Sequence, residues 1–365
     1  MLSQILSQIL SQIFSGAALH IIHANLAKGF RGGERQTTLL IQALAQQAGI
    51  ARQTLVCRPD SPLRFELAET PNVTFVGARH QLAGHRKAGR ATLVHAHDAK
   101  AVHWAWLQRQ LFKTPYLITR RVDTPIKRKR SNLAFYQGAY RCVALSKIIA
   151  QEVQPLSPHP VVQIPSAFTP LTPDPSVARA FRARYPQRFL VGHAGALVDR
   201  HKGQRVLLDA ARRLQHSQPD MLFVFFGRGE DEAALKQESA TLDNVVWAGF
   251  KPNIGNYLPA LDVFAFPSRN EGLGSVLLDA MRAGVPVVAS RTGGIPDIVH
   301  HRETGLLFPP GDADALAQRL IELRAPTLRN TLAEQASQRL ADYSPEAMAS
   351  AYLALYSPLD PHRTI

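Results

Sequence analysis

Short apolar runs alternate with longer amphipathic stretches along most of the chain. In the first half, runs typical of buried strands are separated by helical patterns such as residues 34–47. The predicted strands lie at residues 19–23, 53–57, 73–76, 92–96, 116–119, 142–145 and 161–164. Strands that alternate with helices at this spacing predict βαβ units and a parallel sheet.

The same alternation starts again after a stretch rich in proline and threonine, which we predict to be a linker over residues 169–187. The strands predicted beyond it lie at residues 189–193, 221–226, 245–247, 263–266 and 286–289. The pattern therefore predicts an α/β protein with two doubly wound domains and a cleft between them, where ligands meet the carboxyl ends of the strands. We expect the N-terminal domain at residues 17–168, the C-terminal domain at 188–345, and a final helix at 346–365 that packs back on the N-terminal domain.

The chain opens with the tetrapeptide LSQI, given three times. We interpret residues 1–16 as a low-complexity leader. Its apolar positions recur at i, i+3, i+4 and i+7, so an interfacial membrane helix is the alternative. The segment lacks the basic n-region and the continuous apolar core of a signal peptide. No run in the sequence approaches the ~20 apolar residues that a spanning helix needs.

Positive charge is concentrated in the first half of the chain. Lys and Arg number 42 against 28 Asp and Glu, for a net charge of +14. Residues 1–170 hold 21 basic and 7 acidic side chains, whereas residues 171–365 hold 21 of each. An excess of positive charge confined to the first half of the chain predicts that this half faces an anionic partner, such as a phosphorylated lipid, a membrane or nucleic acid.

Overall composition narrows the protein class. Hydrophobic residues make up 45% of the chain and charged residues 19%, which is typical of a folded globular protein. Two cysteines, Cys57 and Cys142, are too few for a disulfide framework or a thiolate zinc site.

The segment at residues 266–299 carries the most specific chemistry. A predicted strand ends at residue 266, a glycine-rich loop follows, and a helix is predicted over residues 275–282. The N-terminus of such a helix offers unpaired backbone N–H groups and a positive dipole, so we expect a phosphate there. Glu271 in the loop and Asp279 in the helix can then contact the two ends of one ligand. Taken alone, they can equally be a loop residue and a surface helix residue that are merely solvated.

As a whole, this segment resembles glycosyltransferase family 4, whose members are retaining, nucleotide-sugar-dependent enzymes with the GT-B fold. The resemblance rests on Glu271, on Asp279 after seven intervening residues, and on the pair Gly293 and Gly294. It implies that Glu271 contacts hydroxyls of the donor sugar and that Asp279, a Glu in the family, contacts the ribose hydroxyls. The donor contacts implied between these two acids are Gly272, Leu273, Gly274 and Ser275.

Other segments extend the resemblance over nearly the whole chain after the leader. Lys202 falls where the family has a lysine, and the resemblance implies that it pairs with the diphosphate as a flexible point charge. The arginine of the family is Ala196 here, with Arg200 as the candidate substitute. Gly227 and Gly229 match a strand followed by G-x-G at the nucleoside.

Two features of the first half also match the family. Gly32 and Gly33 lie in a glycine-rich loop after the first strand, where the lack of a Cβ lets the backbone approach a sugar or phosphate; a simple turn is the alternative. His97 falls where the family places a histidine that hydrogen-bonds the donor sugar, while His95 fits a core histidine. The candidate catalytic residues are thus Glu271, His97 and Lys202.

Residues 120–130 carry six positive charges and one negative charge. A solvated loop is the default interpretation of such a run. Similar R-V-D-x-P segments, however, occur in enzymes that build the lipopolysaccharide core, and the resemblance places acceptor binding in the N-terminal domain. Each Lys or Arg near an anionic surface can add ~1 kcal/mol of attraction. The candidate residues facing an acceptor or a membrane are Arg120, Arg121, Lys127, Arg128, Lys129 and Arg130.

We therefore expect a retaining glycosyltransferase of hexosyl or heptosyl type. It would move a sugar from a nucleotide sugar to a hydroxyl of an anionic glycolipid, in lipopolysaccharide core or related cell-envelope synthesis. The protein would be cytoplasmic and peripherally bound to the inner face of the cytoplasmic membrane. We expect no metal and no other cofactor, because the helix N-terminus, Lys202 and Arg200 can neutralise the leaving diphosphate. No candidate nucleophilic carboxylate is evident, which favours a same-face displacement over a covalent glycosyl-enzyme.

Three alternatives stay open from the sequence. A nucleotide-sugar epimerase and a glycogen-type synthase share the expected fold. A nucleic-acid-binding protein would explain the charge, but no basic groove interleaved with aromatic residues accompanies residues 127–130, so we expect no nucleic acid partner.

Overall fold

The structure is a computed structural model that describes residues 19–170 and 172–359, which form two compact units. Unit 1 contains the described residues up to Ala167 and those from Pro345 onward, and unit 2 runs from Phe168 to Ser344. The leader predicted at residues 1–16 lies outside the described residues. Within the described chain, no helix has both the length and the apolar composition needed to cross a membrane.

Unit 1 is built on seven parallel strands. They are β1 (Leu19–Asn25), β2 (Ile50–Cys57), β3 (Val73–Gly77), β4 (Leu93–Ala96), β5 (Tyr116–Arg120), β6 (Arg141–Ala144) and β7 (Val162–Gln163). Their order in the sheet is β3-β2-β1-β4-β5-β6-β7, and His23 of β1 lies opposite His95 of β4. Because β1, β4 and β5 are parallel neighbours, the residues that end or follow them meet at one edge of the sheet.

Helices of unit 1 connect these strands. They are α1 (Gly32–Ala45), α2 (Leu63–Glu66), α3 (His85–Ala88), α4 (Ala99–Phe112), α5 (Arg130–Gln137) and α6 (Lys147–Val153), followed by a 3₁₀ turn at Gln154–Leu156. The start of α4 is fixed by Asp98, whose carboxylate accepts hydrogen bonds from the backbone N–H groups of Lys100 (2.7 Å) and Ala101 (3.1 Å). Such a cap satisfies N–H groups that have no partner inside the helix.

Unit 2 is built on six parallel strands. They are β8 (Phe189–Ala194), β9 (Met221–Phe226), β10 (Val245–Gly249), β11 (Val263–Phe266), β12 (Val287–Ser290) and β13 (Leu306–Phe308), in the order β10-β9-β8-β11-β12-β13. All residues of β8, β9, β11 and β12 are buried, as expected for parallel strands covered on both faces.

Helices of unit 2 lie between and around these strands. They are α7 (Pro175–Arg182), α8 (Asp199–Lys202), α9 (Gln204–Leu214), α10 (Glu232–Glu238), α11 (Ser275–Arg282), α12 (Ile295–Ile298), α13 (Ala313–Glu322) and α14 (Pro326–Arg339). Short 3₁₀ turns occur at Ile254–Asn256, Leu258–Ala260 and Leu340–Tyr343. The carboxyl ends of β8 and β11, which are neighbours, bring α8 and the loop before α11 to the same edge.

The last described helix, α15 (Pro345–Tyr356), belongs to unit 1 and is followed by a 3₁₀ turn at Ser357–Leu359. Its residues Met348 and Tyr352 join the apolar cluster that contains Leu40 and Leu44 of α1. Unit 1 is therefore completed by a segment that follows unit 2 in the sequence.

The predicted fold class, an α/β protein with two parallel Rossmann-like sheets, is confirmed. Three local differences have physical reasons. Strand β13 was not predicted, because its three residues are too few to show a period. The predicted helix at residues 34–47 runs instead from Gly32 to Ala45. The predicted linker contains α7, where Pro175 lies in the first turn behind Asp174, whose carboxylate accepts a hydrogen bond from the Ser176 N–H (2.8 Å).

Candidate functional site

Lys202 and Glu271 meet at the carboxyl edge of the unit 2 sheet. Lys202 is the last residue of α8, and Glu271 lies in the loop between β11 and α11. The Lys202 ammonium donates to the Glu271 carboxylate in an ion pair, and the two side chains are only 24% and 17% exposed. The Lys202 Nζ also lies 5.3 Å from the ring centroid of Phe266. Two residues that are 69 positions apart thus form one partly buried charged pair.

The backbone around this pair is fixed by glycines. Gly203 has φ +66°, and a Cβ there would collide with the carbonyl oxygen of Pro267. Gly293 has φ +54°, and its Cβ would collide with the carbonyl oxygen of Glu271. The N–H of Gly294 donates to that same carbonyl oxygen (3.0 Å). The absence of a side chain at both glycines therefore sets where Lys202 and Glu271 lie.

The N-terminus of α11 follows Glu271 directly. Gly274 has φ +88° and caps the helix, and no side chain of the described residues bonds to this cap. The first N–H groups of α11 are thus available to an anion. Leu273 and Gly274 are buried, whereas Gly272 and Ser275 are partly exposed. The structure therefore brings the four predicted loop and helix residues to the side of the ion pair.

Gly227 and Gly229 follow β9, where a Cβ would collide with the carbonyl oxygens of Gly195 and Leu197 respectively. Both glycines are therefore required for the loops after β8 and β9 to approach each other. Arg200, predicted to replace the missing family arginine, lies in α8 with Lys202 and has a carboxylate partner. Its guanidinium pairs with Glu230 at 2.6 Å, and both side chains are more than half exposed. In this structure the Arg200 charge is matched by a carboxylate rather than offered to a phosphate.

Asp279 has partners that the sequence did not reveal. Its carboxylate accepts hydrogen bonds from the Thr169 N–H (2.7 Å) and the Thr169 hydroxyl (3.2 Å). One turn later in α11, Arg282 donates to the Thr169 carbonyl (2.8 Å). The contact of Asp279 with a ribose stays a prediction; in this structure both of its carboxylate oxygens accept hydrogen bonds from Thr169.

In unit 1, a chain of hydrogen bonds runs through two histidines at the carboxyl edge of the sheet. Arg121 Nη2 lies 3.1 Å from His97 Nδ1, His97 Nε2 lies 3.0 Å from His23 Nδ1, and His23 Nε2 lies 3.0 Å from Gln53 Oε1. A guanidinium can only donate and an amide oxygen can only accept. With both rings neutral, His97 and His23 therefore each carry their proton on Nε2, and the donors point from Arg121 towards Gln53.

Burial keeps these rings uncharged. Desolvation lowers the pKa of His23 to about 3, and it lowers the pKa of His95 and of His97 well below the usual value, with the neighbouring rings and Arg121 adding to the effect. Burial also lowers the pKa of Arg121. Protonating a ring here would place a second positive charge beside the guanidinium in a poorly solvated site.

One ring nitrogen from each of His23, His95 and His97 lies within 4.8 Å of the other two, which is a spacing that could hold a metal ion. Each of them, however, has a hydrogen-bond partner. His95 contacts the hydroxyls of Tyr356 and Thr119, both at 2.7 Å. The Arg121 guanidinium beside His97 adds positive charge, so the cluster is better suited to hydrogen bonding than to a cation.

His97 differs from the prediction in its accessibility. It is 3% exposed, and both ring nitrogens are engaged within unit 1. A contact from His97 to a donor sugar therefore requires one of these two bonds to open. Sequence reasoning missed His23 and Tyr356 as members of this cluster, although a histidine between Ile22 and Ala24 in a predicted buried strand was a usable signal for His23.

The residues predicted to face an acceptor fall into two groups. Arg121 turns inward to His97, and its Nε is buried with no hydrogen-bond partner among the described residues. Arg120 donates to the carbonyl of Thr124. The exposed group, which we call the basic run, consists of Lys127, Arg128, Lys129 and Arg130. Arg121 is thus a partner of the histidine chain, and its predicted role toward an acceptor stays a prediction.

Gly32 and Gly33 open helix α1 and are at least partly exposed. The N–H of the preceding Arg31 is satisfied by the Glu34 carboxylate at 2.9 Å. A Cβ on Gly33 would lie 3.6 Å from the Cδ of Arg121, so this loop runs beside the stem of that arginine. Of the two predicted glycines, Gly33 therefore lies beside Arg121, the first donor of the histidine chain.

Comparisons with known proteins bear on the class of protein and on the fold. Residues 188–325 match the family described as Glycosyl transferases group 1. The lipopolysaccharide core biosynthesis glycosyltransferase LpsE of Rhizobium meliloti (strain 1021) is 28% identical over 336 residues, which cover 89% of this chain and 95% of LpsE. LpsD of the same organism is also 28% identical, over 89% of this chain and 94% of LpsD.

Among solved structures, Anabaena Alr3699/HepE in complex with UDP and glucose superposes with a TM-score of 0.80. The match covers 93% of this chain and 100% of that chain, at 20% sequence identity. At this level of identity the likeness concerns the fold.

Proposed function

Because residues 188–325 form a Glycosyl transferases group 1 domain, we propose that the protein transfers a sugar from a nucleoside-diphosphate sugar to a hydroxyl of a glycolipid, with retention at the anomeric carbon. The proposed role is in lipopolysaccharide core or related cell-envelope synthesis. Support for this role comes from LpsE and LpsD, which this chain matches over nearly their whole length.

One observation carries the proposal: a lysine and a glutamate form a partly buried pair beside the N-terminus of α11, whose cap Gly274 makes no side-chain hydrogen bond. In this assignment Lys202 and the first N–H groups of α11 bind the diphosphate. The helix N–H groups are held by the fold, and the Lys202 ammonium adds a positive charge on a flexible stem. Together they can stabilise the charge that develops on a departing diphosphate. Glu271 then accepts hydrogen bonds from hydroxyls of the donor sugar.

We assign acceptor binding to unit 1. Its basic run is exposed on the surface, and residues 1–170 carry the whole positive excess of the chain. An exposed cluster of this kind attracts anionic headgroups over a distance set by ionic strength. The proposed partner is therefore a phosphorylated glycolipid at the inner face of the cytoplasmic membrane.

A transfer assay tests this proposal. The purified protein is incubated with labelled UDP-, GDP- and other nucleotide sugars, together with lipopolysaccharide cores truncated at successive sugars. We expect one donor to label one truncated core, with the α or β configuration of the donor kept in the product when it is read by NMR. Epimerisation of a nucleotide sugar without any acceptor, or no reaction with any donor, would overturn the proposal.

A further inference from the structure

The ion pair between Lys202 and Glu271 is exclusive. Within residues 19–170 and 172–359, neither group has a second ionic partner within 4.0 Å. The Glu271 carboxylate has one further polar neighbour, the Ser268 hydroxyl at 3.4 Å. The charge of Lys202 is thus committed to Glu271, and the charge of Glu271 is compensated by Lys202.

The proposed function requires both side chains to contact other groups. Lys202 has to reach a diphosphate, and Glu271 has to accept hydrogen bonds from sugar hydroxyls. A diphosphate carries more negative charge than one carboxylate, so it competes effectively for a single ammonium. The backbone at both residues is pinned by Gly203 and Gly293, so the exchange has to occur through the flexible lysine stem.

Breaking the pair leaves Glu271 in a partly buried site without its counter-charge. A charged group in such a place is unfavourable unless new hydrogen bonds satisfy it. Hydroxyl groups of a sugar can supply these bonds. Loss of the Lys202 ammonium therefore favours hydrogen bonds from sugar hydroxyls to the Glu271 carboxylate.

We propose that the Lys202–Glu271 pair couples binding of the two halves of the donor. The diphosphate replaces Glu271 as the partner of the Lys202 ammonium, and the released Glu271 carboxylate then binds the sugar. This inference rests on the proposed function, because only that function supplies a ligand with both a diphosphate and a sugar. Coupling of this kind is reciprocal, so sugar at Glu271 also favours diphosphate at Lys202.

A free nucleoside diphosphate has to break the pair without offering a sugar in return. Replacing the carboxylate by an amide removes this cost, so Glu271→Gln should bind the diphosphate about three- to ten-fold more tightly, a factor typical of a partly screened ion pair. Loss of simple repulsion between Glu271 and the phosphates would have the same sign. The cost of breaking the ion pair and the repulsion by Glu271 can be distinguished only in a variant that lacks the Lys202 ammonium.

The test is a double-mutant cycle by calorimetry on the full chain. UDP, GDP, ADP, CDP and dTDP are titrated into the wild type, and the nucleotide that binds is titrated into Glu271→Gln, Lys202→Met and the double variant. If the pair couples the subsites, Glu271→Gln tightens binding in the wild-type background and changes it less than about two-fold in the Lys202→Met background. An equal gain in both backgrounds, or no gain in either, overturns the coupling.

A control variant and the nucleotide screen distinguish failure of the coupling from failure of the proposed function. Glu303→Gln is the matched control, because Glu303 pairs with Arg339 at 2.9 Å on the surface of the same unit and its loss should leave nucleotide affinity unchanged. If none of the five nucleotides binds the wild type, the proposed function itself fails and the coupling fails with it. Binding to the wild type without the predicted pattern overturns the coupling alone.

Discussion

Replacing Gly293 by alanine tests whether the backbone behind Glu271 is as tightly fixed as the structure shows. Gly293 has φ +54°, and its added Cβ would collide with the carbonyl oxygen of Glu271 and lie 2.9 Å from the carbonyl carbon. The positive φ alone costs about 1–2 kcal/mol for a residue with a side chain. The collision with backbone adds to this cost, because the loop that carries Glu271 has to move.

The expected loss of activity follows from that movement. A displacement of about 1 Å at a reacting group can lower the rate about 100-fold. Gly284→Ala is the matched control: Gly284 also has a positive φ, +73°, but nothing lies within 4 Å of its added Cβ. The control therefore carries the conformational cost without the collision.

Urea unfolding and the initial rate of sugar transfer per folded enzyme are the two readouts. We expect Gly284→Ala to lose about 1–2 kcal/mol of stability and to keep its rate within about three-fold, because only the φ preference changes. Gly293→Ala should lose more stability and about 100-fold in rate. Equal losses of rate in the two variants, or a near-normal rate of sugar transfer by Gly293→Ala, would show that the Gly293 contact does not position Glu271.

Three other predictions concern the remaining parts of the structure. Asp279→Asn weakens the acceptor of two hydrogen bonds from Thr169, so the free energy of unfolding in urea should fall by about 1–3 kcal/mol, and an unchanged midpoint would contradict the anchoring role. The folded pKa of His23 is about 3, below its unfolded value, so the unfolded state takes up the proton first. Stability should therefore be constant above about pH 7 and fall as the pH drops from 6.5 to 5, by up to about 1.4 kcal/mol per pH unit for each such ring, and His23→Gln should flatten this slope. Neutralising residues 127–130 together should weaken binding to anionic vesicles in a salt-dependent way and raise the KM for the lipid acceptor. Donor affinity should not change, and if deletion of residues 1–14 abolishes vesicle binding while the neutralisation does not, the basic run is not the attachment site.

The sequence was sufficient for the fold and the enzyme class, and both predictions are confirmed. Buried parallel strands leave continuous apolar runs, so β9 (Met221–Phe226) and β11 (Val263–Phe266) were predicted with their observed bounds. The glycines around Glu271 could be identified from the sequence. A backbone contact that leaves no room for a Cβ requires a glycine at that position. The strand β13 and the helix α7 were missed, since one is very short and the other begins with a proline.

Local sequence patterns could not predict which polar side chains contact each other in the candidate site. Asp279 and Thr169 are 110 positions apart, and His23 and His97 are 74 positions apart. Periodicity reports which face of an element is buried, but not which polar group from a distant element meets it. Arg200 shows the same limit, because its partner Glu230 follows a different strand and only the folded unit brings the two together.

The role of Glu271 at the donor sugar is tested by the rate of sugar transfer to the glycolipid by Glu271→Ala compared with the wild type. Glu271 is partly exposed and pairs only with Lys202 among charged groups of the described chain, so the variant should fold. We expect a rate at least ~100-fold lower, because a charged contact to the reacting sugar is lost. A near-normal rate with the same donor and acceptor would contradict this role.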